Sequence, residues 1–238
     1  MMQKVSIFDV DGTLSRGFYI VKFSNFLHEK KLFPENERNF MLSSLEDYKN
    51  NKRIDYTYEQ FAWDLVDAFG RGIKGEKQSD IENAGEEYIK INSNEKFNFT
   101  DDVVKLVKDR EYKTIVISGS PYEIIDKFAE SLGIDETFAT LYGTKERIFT
   151  GRVIENCALN TTKRQIILQY AKENDIDLKN SVGFGDSHHD LAFLGMVGYP
   201  IAMNPNENLE KIANMKKWLV CRENENVLDK IKSYLPQL

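Results

Sequence analysis

The stretch FDVDGTL, Phe8–Leu14, decides the fold of this chain. It directly follows Val5-Ser6-Ile7, so a short buried strand is predicted to end where two aspartates begin. Because side chains alternate along an extended strand, Asp9 and Asp11 should leave the same face about 7 Å apart. Two bare carboxylates in one place repel each other, so a cation or a proton is expected with them, and Mg²⁺ favours such oxygen ligands. An ordinary Asp-Gly turn is the alternative that this stretch alone leaves open.

The composition is that of an ordinary folded protein. The 238 residues are 41% hydrophobic and 29% charged, which allows one sizeable core or a core domain with a smaller insert. The formal net charge of −6 and the lack of a Lys/Arg stripe argue against nucleic acid as a partner. No run approaches the roughly 18 apolar residues of a membrane span, and no signal-peptide pattern precedes the acidic pair, so we expect a cytoplasmic protein without a membrane partner. Cys157 and Cys221 are expected to be packing residues, and nothing in the sequence indicates an oligomeric state.

Residues 15–99 have a helical pattern. Apolar and aromatic residues recur there at three- and four-residue spacing, and no strand is evident. Pro34 and Gly70–Gly72 interrupt the pattern, so about four helices are expected. Their aromatic stripes are predicted to form a core.

From residue 100 onward, short β-branched runs alternate with helical segments, which is typical of a parallel sheet with helices on its faces. Since Val5–Phe8 has the composition of the same sheet, residues 1–14 and 100–238 are predicted to form one α/β core with a doubly wound, mostly parallel sheet. Residues 15–99 would be an inserted α-helical cap domain. Strands are predicted at Thr114–Ile117, Ser181–Phe184, Tyr199–Ala202 and Trp218–Val220, with a hairpin at Arg147–Val153. Helices are predicted at Tyr122–Leu132, Lys163–Glu173, Leu191–Gly195 and Asn206–Lys216.

The segment ISGSPYE leads from a predicted strand into a predicted helix. Ser120 and Glu123 fit the N-cap and third positions of a helix that begins at Pro121, so they are predicted to form a capping box. That role does not explain Ser118 and Gly119. A hydroxyl and an unobstructed N–H at these positions could contact an anion beside the positive end of the helix.

Lys163 is the next candidate. Thr162 and Gln165 fit another capping box, which would place the lysine in the first turn of a helix, where the helix dipole slightly disfavours a cation. Most lysines are solvated surface groups, and that alternative stays open. A fixed ammonium would, however, neutralise both carboxylate and phosphate charge.

The segment GFGDSHHD completes the set. Asp186 ends a predicted strand after a glycine, whereas Asp190 could merely complete a capping box begun by Ser187. His188 and His189 could bind a transition metal, but adjacent histidine side chains usually diverge, and hard oxygen ligands fit the segment better. All four pieces fall at the carboxyl ends of strands, where open α/β sheets bind their ligands.

Taken in order, these segments resemble the four motifs of the haloacid dehalogenase (HAD) superfamily: DxDGT, a strand-ending Ser or Thr, a Lys, and GD followed by a further Asp. The helical insert between the first two motifs, the segment ISGSPYEI, the hairpin IFTGRV and the GDSxxD loop are most similar to the phosphoserine-phosphatase-like branch. The resemblance implies a Rossmann-like HAD core and a Mg²⁺-dependent phosphatase. Its substrate would be a small phosphorylated metabolite, a phosphomonoester hydrolysed through an aspartyl-phosphate intermediate.

The resemblance also implies roles for single residues. Asp9 would be the nucleophile and Asp11 the general acid and base, with Lys163 neutralising charge. Mg²⁺ would be held by Asp9, the backbone carbonyl of Asp11 and Asp186, and Asp190 would support them from the second shell of the metal. The residues that would bind the phosphate or another anionic part of the substrate are Ser118, Gly119 and Arg16.

The sequence departs from the phosphoserine phosphatases at the run SRGF, Ser15–Phe18. Those enzymes generally carry an acidic residue here that binds the substrate ammonium, so phosphoserine itself is disfavoured. His189 stands where Asn is common. Alternatives that stay open are a phosphotransferase or phosphomutase of the same superfamily, a receiver-like signalling protein, and a non-catalytic phospho-ligand-binding protein. Asp11 argues against dehalogenase chemistry, which does not need it.

Overall fold

A computed structural model describes residues 3–236 and shows one mixed sheet. Its strands are β1 Val5–Phe8, β2 Lys113–Pro121, β3 Glu136–Lys145, β4 Ile148–Glu155, β5 Val182–Gly185, β6 Tyr199–Met203 and β7 Leu219–Cys221. The spatial order is β4-β3-β2-β1-β5-β6-β7, and all neighbours are parallel except β3 and β4. The central strand β1 pairs with β2 on one side and β5 on the other, so the chain changes direction across the sheet there. A crevice opens at such a switch point, beyond the carboxyl ends of the strands.

The helices lie on both faces of this sheet and in the insert. Those that precede β2 are α1 Tyr19–Glu29, α2 Glu35–Lys49, α3 Tyr58–Gly72, α4 Gln78–Ile91 and α5 Thr100–Asp109. Those that follow β2 are α6 Tyr122–Leu132, α7 Asn160–Glu173, α8 Leu191–Leu194, α9 Glu207–Lys216 and α10 Val227–Tyr234. Single 3₁₀ turns occur at Ser93–Glu95, Leu178–Asn180 and His188–Asp190. Within residues 3–236, no helix has the length and apolar character needed to cross a bilayer.

Apolar packing on both faces holds the sheet in place. Along β1, Phe8 joins one buried hydrophobic cluster while Val5 and Ile7 join a second one. This division follows the alternation of side chains along a strand. Phe8 also stacks on Phe184 of β5, with ring centroids 4.6 Å apart. The predicted α/β class, with a doubly wound and mostly parallel sheet, is confirmed.

Helices α1–α4 form the insert between β1 and β2, and their aromatic residues pack as the sequence predicts. The rings of Phe23 and Phe69, for example, lie 6.0 Å apart in the interior. The insert contacts the rest of the chain mainly through α3 against β4 and α4 against α6, and α1 also contacts β2. One hydrogen bond between the sheet and the insert runs from the hydroxyl of Tyr142 to the carbonyl of Val66, at 3.0 Å. The domain limits at residues 14/15 and 99/100 stay a prediction.

One predicted helix cap and one predicted helix start are wrong. Helix α6 begins at Tyr122, with Pro121 as its N-cap and no side-chain cap, because the hydroxyl of Ser120 is used elsewhere. Helix α7 begins at Asn160, and the N–H of Lys163 already bonds to the carbonyl of Leu159 at 3.0 Å. Lys163 therefore lies one turn inside the helix.

Candidate active site

The central strand β1 delivers the first aspartate to the crevice. Asp9 follows Phe8 directly, and its N–H donates to the carbonyl of Phe184 at 2.9 Å, which fixes it to β5. The residue is only 6% exposed. Burial raises the pKa of the Asp9 carboxyl to about 7; Lys163 opposes this shift, and the nearby carboxylate of Asp190 adds to it. A carboxylate in such a place needs a positive partner to stay ionised.

A tight turn follows. The carbonyl of Val10 accepts hydrogen bonds from the N–H groups of Leu14 at 2.9 Å and Ser15 at 3.0 Å. Gly12 adopts a φ of +92°, and a Cβ atom there would lie 2.3 Å from Oδ2 of Asp186. Only glycine fits this position, because both the backbone conformation and the space exclude a side chain.

Asp11 is held at the start of α1. Its Oδ1 accepts the N–H of Tyr19 at 2.8 Å, and its Oδ2 accepts the hydroxyl of Ser120 at 2.6 Å. The same hydroxyl oxygen accepts the N–H of Ile20 at 3.0 Å. Burial raises the pKa of Asp11, and the bonds from Ser120 and Tyr19 act against that rise. The predicted capping box at Ser120 is thus replaced by a contact that positions Asp11.

Lys163 is buried and paired with two carboxylates. Its Nζ lies 2.8 Å from Oδ1 of Asp9 and 2.8 Å from Oδ1 of Asp190, and the residue is 4% exposed. Burial works against its charge, but Asp190 and Asp9 outweigh this effect and raise the pKa of the lysine well above its ordinary value. The alternative of a solvated surface lysine is therefore excluded.

Asp190 has the predicted capping role and a second role as well. Its Oδ2 accepts the N–H of Asp186 at 3.2 Å and both the N–H and the hydroxyl of Ser187, at 3.1 and 3.2 Å. Its Oδ1 binds Lys163 at the same time. Asp186 keeps its carboxylate beside Gly12, and burial, with Asp190 and Asp9, raises the pKa of Asp186 well above its ordinary value.

The acidic groups fit a divalent cation. Asp9, Asp186 and Asp190 can each place one carboxylate oxygen within 4.8 Å of the others. With Asp11, four aspartates line the crevice, and among the described residues that line it Lys163 is the one that carries an ammonium, so acidic groups are in excess there. Hard oxygen donors in this arrangement suit Mg²⁺ better than a softer metal.

The two residues of β2 that are predicted to bind phosphate differ in their exposure to the crevice. Gly119 lines the crevice, and a Cβ atom there would lie 2.7 Å from Cβ of Ala158. Ser118 is fully buried and does not line it, and its Oγ accepts the N–H of Ser120 at 3.1 Å.

Arg16 is not brought to the other site residues. Its guanidinium donates to the carbonyl of Lys96 at 2.7 Å, pairs with Glu223 and lies over the ring of Phe97, 4.7 Å from the centroid. These contacts hold the Arg16 side chain outside the crevice, and Arg16 is not among the residues that line it.

The crevice is a cavity of about 270 Å³ between the sheet and the insert. The carboxylates, Lys163, Gly119 and Ser120 lie at the sheet end. The insert contributes Phe18, Tyr48, Tyr58, Phe61, Leu65 and Val66. The sequence assigns the aromatic residues of the insert to its core, and their second role in the cavity wall was not predicted.

One stacking contact joins the insert to the GDSHHD loop. The ring of Tyr58 lies on the ring of His189, with centroids 3.5 Å apart and an interplanar angle of 17°. The rings of His188 and His189 are 3.8 Å apart, so the expectation that they diverge is wrong. Burial, and then His188, lowers the pKa of His189 to about 4. No sequence pattern would have paired Tyr58 with His189, since they lie on different elements.

The fold and the site together define a class: an α/β protein whose acidic crevice beside the central strand can hold a cation and an anion. The model of the haloacid dehalogenase-like hydrolase family matches residues 7–195. Because this is most of the chain, the protein belongs to that family.

Named relatives and solved structures agree with this assignment. Phosphoserine phosphatase SerB1 of Mycobacterium tuberculosis is 25% identical over 226 residues, which is 90% of this chain and 68% of the relative. A phosphoserine phosphatase of Methanocaldococcus jannaschii is 27% identical over 132 residues, 56% of this chain and 60% of the relative. A solved structure described as a phospho-aspartyl intermediate analogue of phosphoserine phosphatase superposes with a TM-score of 0.68 at 23% identity, covering 99% of this chain and 100% of the other. A solved structure of a Bordetella pertussis protein of unknown function superposes with a TM-score of 0.76 at 20% identity, covering 94% of this chain and 100% of the other. The predictions of a HAD hydrolase of the phosphoserine-phosphatase-like branch, and of an enzyme of the phosphatase class, are confirmed.

Proposed function

We propose that this protein is a Mg²⁺-dependent phosphatase that hydrolyses a phosphomonoester of a small metabolite through a phosphoryl group carried on Asp9. The observation that carries the proposal is the buried contact of Lys163 with both Asp9 and Asp190, 2.8 Å each, at the end of the central strand. Neither a turn nor a helix cap requires a buried lysine on these carboxylates. Relatives named as phosphoserine phosphatases support phosphoryl chemistry at this site.

The proposed reaction has two displacements at phosphorus. In the first, a carboxylate oxygen of Asp9 bonds to phosphorus while the bond to the ester oxygen breaks, and Asp11 gives its proton to the leaving alcohol. In the second, Asp11 takes a proton from water, the water oxygen attacks phosphorus, and the bond to Asp9 breaks to release phosphate. The raised pKa of Asp11 suits a group that must hold a proton in one step and accept it back in the next.

The other residues would position and neutralise charge. Lys163 would compensate the charge that Asp9 shares with the phosphoryl group, and the N–H of Gly119 would hold a phosphoryl oxygen. Ser118, which does not line the crevice, would support this segment through the hydrogen bond that its Oγ accepts from the N–H of Ser120. Asp9, Asp186 and the backbone carbonyl of Asp11 would hold Mg²⁺, which when bound would neutralise phosphoryl charge.

Asp190 would support this set rather than bind the metal, because both of its oxygens already accept hydrogen bonds. Residues 15–99 would close over the crevice as a cap and exclude bulk water. The cytoplasmic location stays a prediction.

A turnover screen tests the proposal. Phosphate release would be measured across phosphorylated sugars, amino acids, nucleotides and cofactors, with Mg²⁺ and with a chelator, for the natural chain and Asp9→Asn. We expect the chelator and Asp9→Asn each to lower release by at least about 100-fold, because the nucleophile and charge compensation are lost. The matched control is Asp109→Asn, an exposed aspartate on α5, which should leave release unchanged.

Release that continues undiminished in Asp9→Asn or after chelation would contradict the mechanism. Counting the alcohol and the inorganic phosphate separately also distinguishes hydrolysis from transfer to a second acceptor, since hydrolysis yields them in equal amounts.

A further inference from the structure

Charge is unevenly distributed around the cavity. Every carboxylate that lines it, and Lys163, lies at the sheet end, where the phosphoryl group would bind. Among the described residues of the insert, those that line the cavity include no charged side chain. The part of the substrate that projects toward the insert, the leaving alcohol, therefore meets an uncharged wall.

That wall is a packed aromatic cluster. Phe61 stacks on Tyr48, with centroids 4.3 Å apart and an interplanar angle of 5°. The ring centroids of Tyr58 and Phe18 lie 6.1 and 5.8 Å from the ring centroid of Phe61. Tyr58 also stacks on His189, so the wall continues onto the loop after β5. Aromatic faces held in this way offer a large apolar contact area at little cost in conformational entropy.

The charges that could have recognised a zwitterionic substrate are engaged outside the cavity. Arg16 pairs with Glu223, and Lys22 pairs with Glu95 at 3.1 Å. A buried carboxylate on the leaving group would lack an opposite charge on the wall, and burying it unpaired is strongly unfavourable. A buried ammonium would meet aromatic faces there instead, and their attraction for a cation is smaller than the cost of desolvating the ion.

We propose that the natural substrate is the phosphate monoester of an uncharged, apolar alcohol, one that carries an aryl or alkyl group, rather than that of an amino acid or an amine. The inference rests on the proposed phosphatase function and names the substrate class of the same cavity. A cavity of about 270 Å³ must also hold the phosphoryl group, which limits the alcohol to about one ring or a short chain.

A matched series of esters tests the substrate class. Each ester has the form X–CH₂CH₂–O–PO₃²⁻, with X as phenyl, cyclohexyl, methyl, ammonium or carboxylate, and each is named below by its group X. Phosphoserine is added as the amino-acid ester. We expect kcat/KM to be at least about 10-fold higher for the phenyl and cyclohexyl esters than for the ammonium and carboxylate esters and for phosphoserine. The methyl ester should fall between the two groups because it is uncharged but fills less of the wall.

Variants at the wall separate recognition from general effects. Tyr58→Ala should lower the ratio of kcat/KM for the phenyl ester to kcat/KM for the ammonium ester about 10-fold, whereas Tyr58→Phe should keep that ratio. The matched control is Trp63→Ala, an aromatic residue of the same helix that is 42% exposed and does not line the cavity. It should leave all values unchanged.

The outcomes are distinguishable from a failure of the proposed function. If phosphoserine or the ammonium or carboxylate ester is the best substrate, and Asp9→Asn abolishes its hydrolysis, the phosphatase stands and the apolar class is overturned. A loss of equal size for the phenyl and ammonium esters in Tyr58→Ala would overturn it too. If no ester depends on Asp9, the phosphatase proposal itself fails.

Discussion

Ser120 contacts both Asp11, the proposed acid, and the first turn of α1, whose Tyr19 N–H also binds that acid. Its hydroxyl donates to Asp11 at 2.6 Å and accepts the N–H of Ile20 at 3.0 Å. We expect Ser120→Ala to lower kcat about 10-fold with little change in KM, because Asp11 loses a fixed donor without losing any contact to the substrate. Steady-state kinetics measure the split. Ser120→Thr keeps the hydroxyl and should restore most of the rate, and a Ser120→Ala variant with unchanged kcat would show that Asp11 does not depend on this contact.

The excess of carboxylates in the crevice should make the melting temperature of the protein depend on bound metal. The described residues that line the crevice include four aspartates and one lysine, so Asp186→Asn should raise the melting temperature of the protein in chelator by relieving repulsion among the carboxylates. Mg²⁺ at about 100 times its Kd should raise the melting temperature of the natural chain by about 5–10 °C. The same Mg²⁺ concentration should raise the melting temperature of Asp186→Asn much less, because this variant lacks one metal ligand.

Thermal unfolding with and without Mg²⁺ measures both effects. Asp109→Asn, which removes an exposed charge on α5, should respond to Mg²⁺ as the natural chain does. An equal Mg²⁺ response in Asp186→Asn would argue that Asp186 is not a ligand.

Single residues differ in how well the sequence predicted them. Asp9, Asp11 and Asp186 could be placed because each follows the end of a strand, and parallel strands share their carboxyl edge. Ser120 could not, since its sequence fits a helix cap equally well and only the three-dimensional position of Asp11 decides between the two. Arg16 is close to Asp11 in sequence, but an ion pair with Glu223, distant in sequence, turns it away.

At the level of elements, the first turn of α6 contains a buried acid. Glu123 is 6% exposed, and its Oε2 has no hydrogen-bond partner among residues 3–236. Burial, and then Glu82 and Asp126, raises its pKa from 4.5 to about 7. Between about pH 4.5 and 7 the folded chain keeps this proton while the unfolded chain loses it, so the contribution of Glu123 to stability falls as pH rises and is constant above that window.

Glu123→Gln removes this titration. Its free energy of unfolding, relative to the natural chain, should rise by up to about 3 kcal/mol between pH 4.5 and 8. Chemical denaturation at a series of pH values measures the difference. Glu130→Gln, an exposed glutamate on the same helix, is the matched control and should show no such trend. A flat difference for Glu123→Gln would mean that Glu123 ionises normally in the folded protein.

Helix and strand predictions succeeded where a pattern was long or strongly apolar. Helix α6 matches its predicted range, Tyr122–Leu132, and β6 extends its prediction by one residue. The short helix α10 was not predicted, because its 8 residues make only about two turns, too short a stretch for an apolar repeat to be recognised. The whole of β3 was also missed, since the predicted hairpin Arg147–Val153 covers only part of β4. The first half of β3 becomes a strand by pairing in parallel with β2, a long-range contact that local sequence does not specify.

For the whole molecule, the sequence predicted which groups meet at the sheet end but not what faces them. The motif residues converge because strand order places β2, β1 and β5 side by side. The opposite wall depends on how α1, α2 and α3 pack around Phe61, and helical periodicity only marks these positions as buried. The stack of Tyr58 on His189 likewise requires the docked position of the insert.

The stack of Tyr58 on His189 should couple closure of the proposed cap to binding at the sheet end. If the insert closes when the site is filled, Mg²⁺ with inorganic phosphate or vanadate should slow hydrogen exchange in the first turns of α3 and in the loop Ser187–Asp190 together, because Tyr58 links them. Tyr58→Ala should keep the slowing in the loop, which contacts the bound anion and metal directly, and lose most of it in α3.

Hydrogen exchange followed by mass spectrometry resolves these segments. Helix α10, on the far edge of the sheet beside β7, serves as the internal control and should be unaffected. Trp63→Ala, which alters α3 without touching the cavity, should behave as the natural chain because the contact between insert and loop remains. Slowing in the loop of the natural chain without any change in α3 would mean that the insert is already closed, and that binding at the sheet end is not transmitted to it.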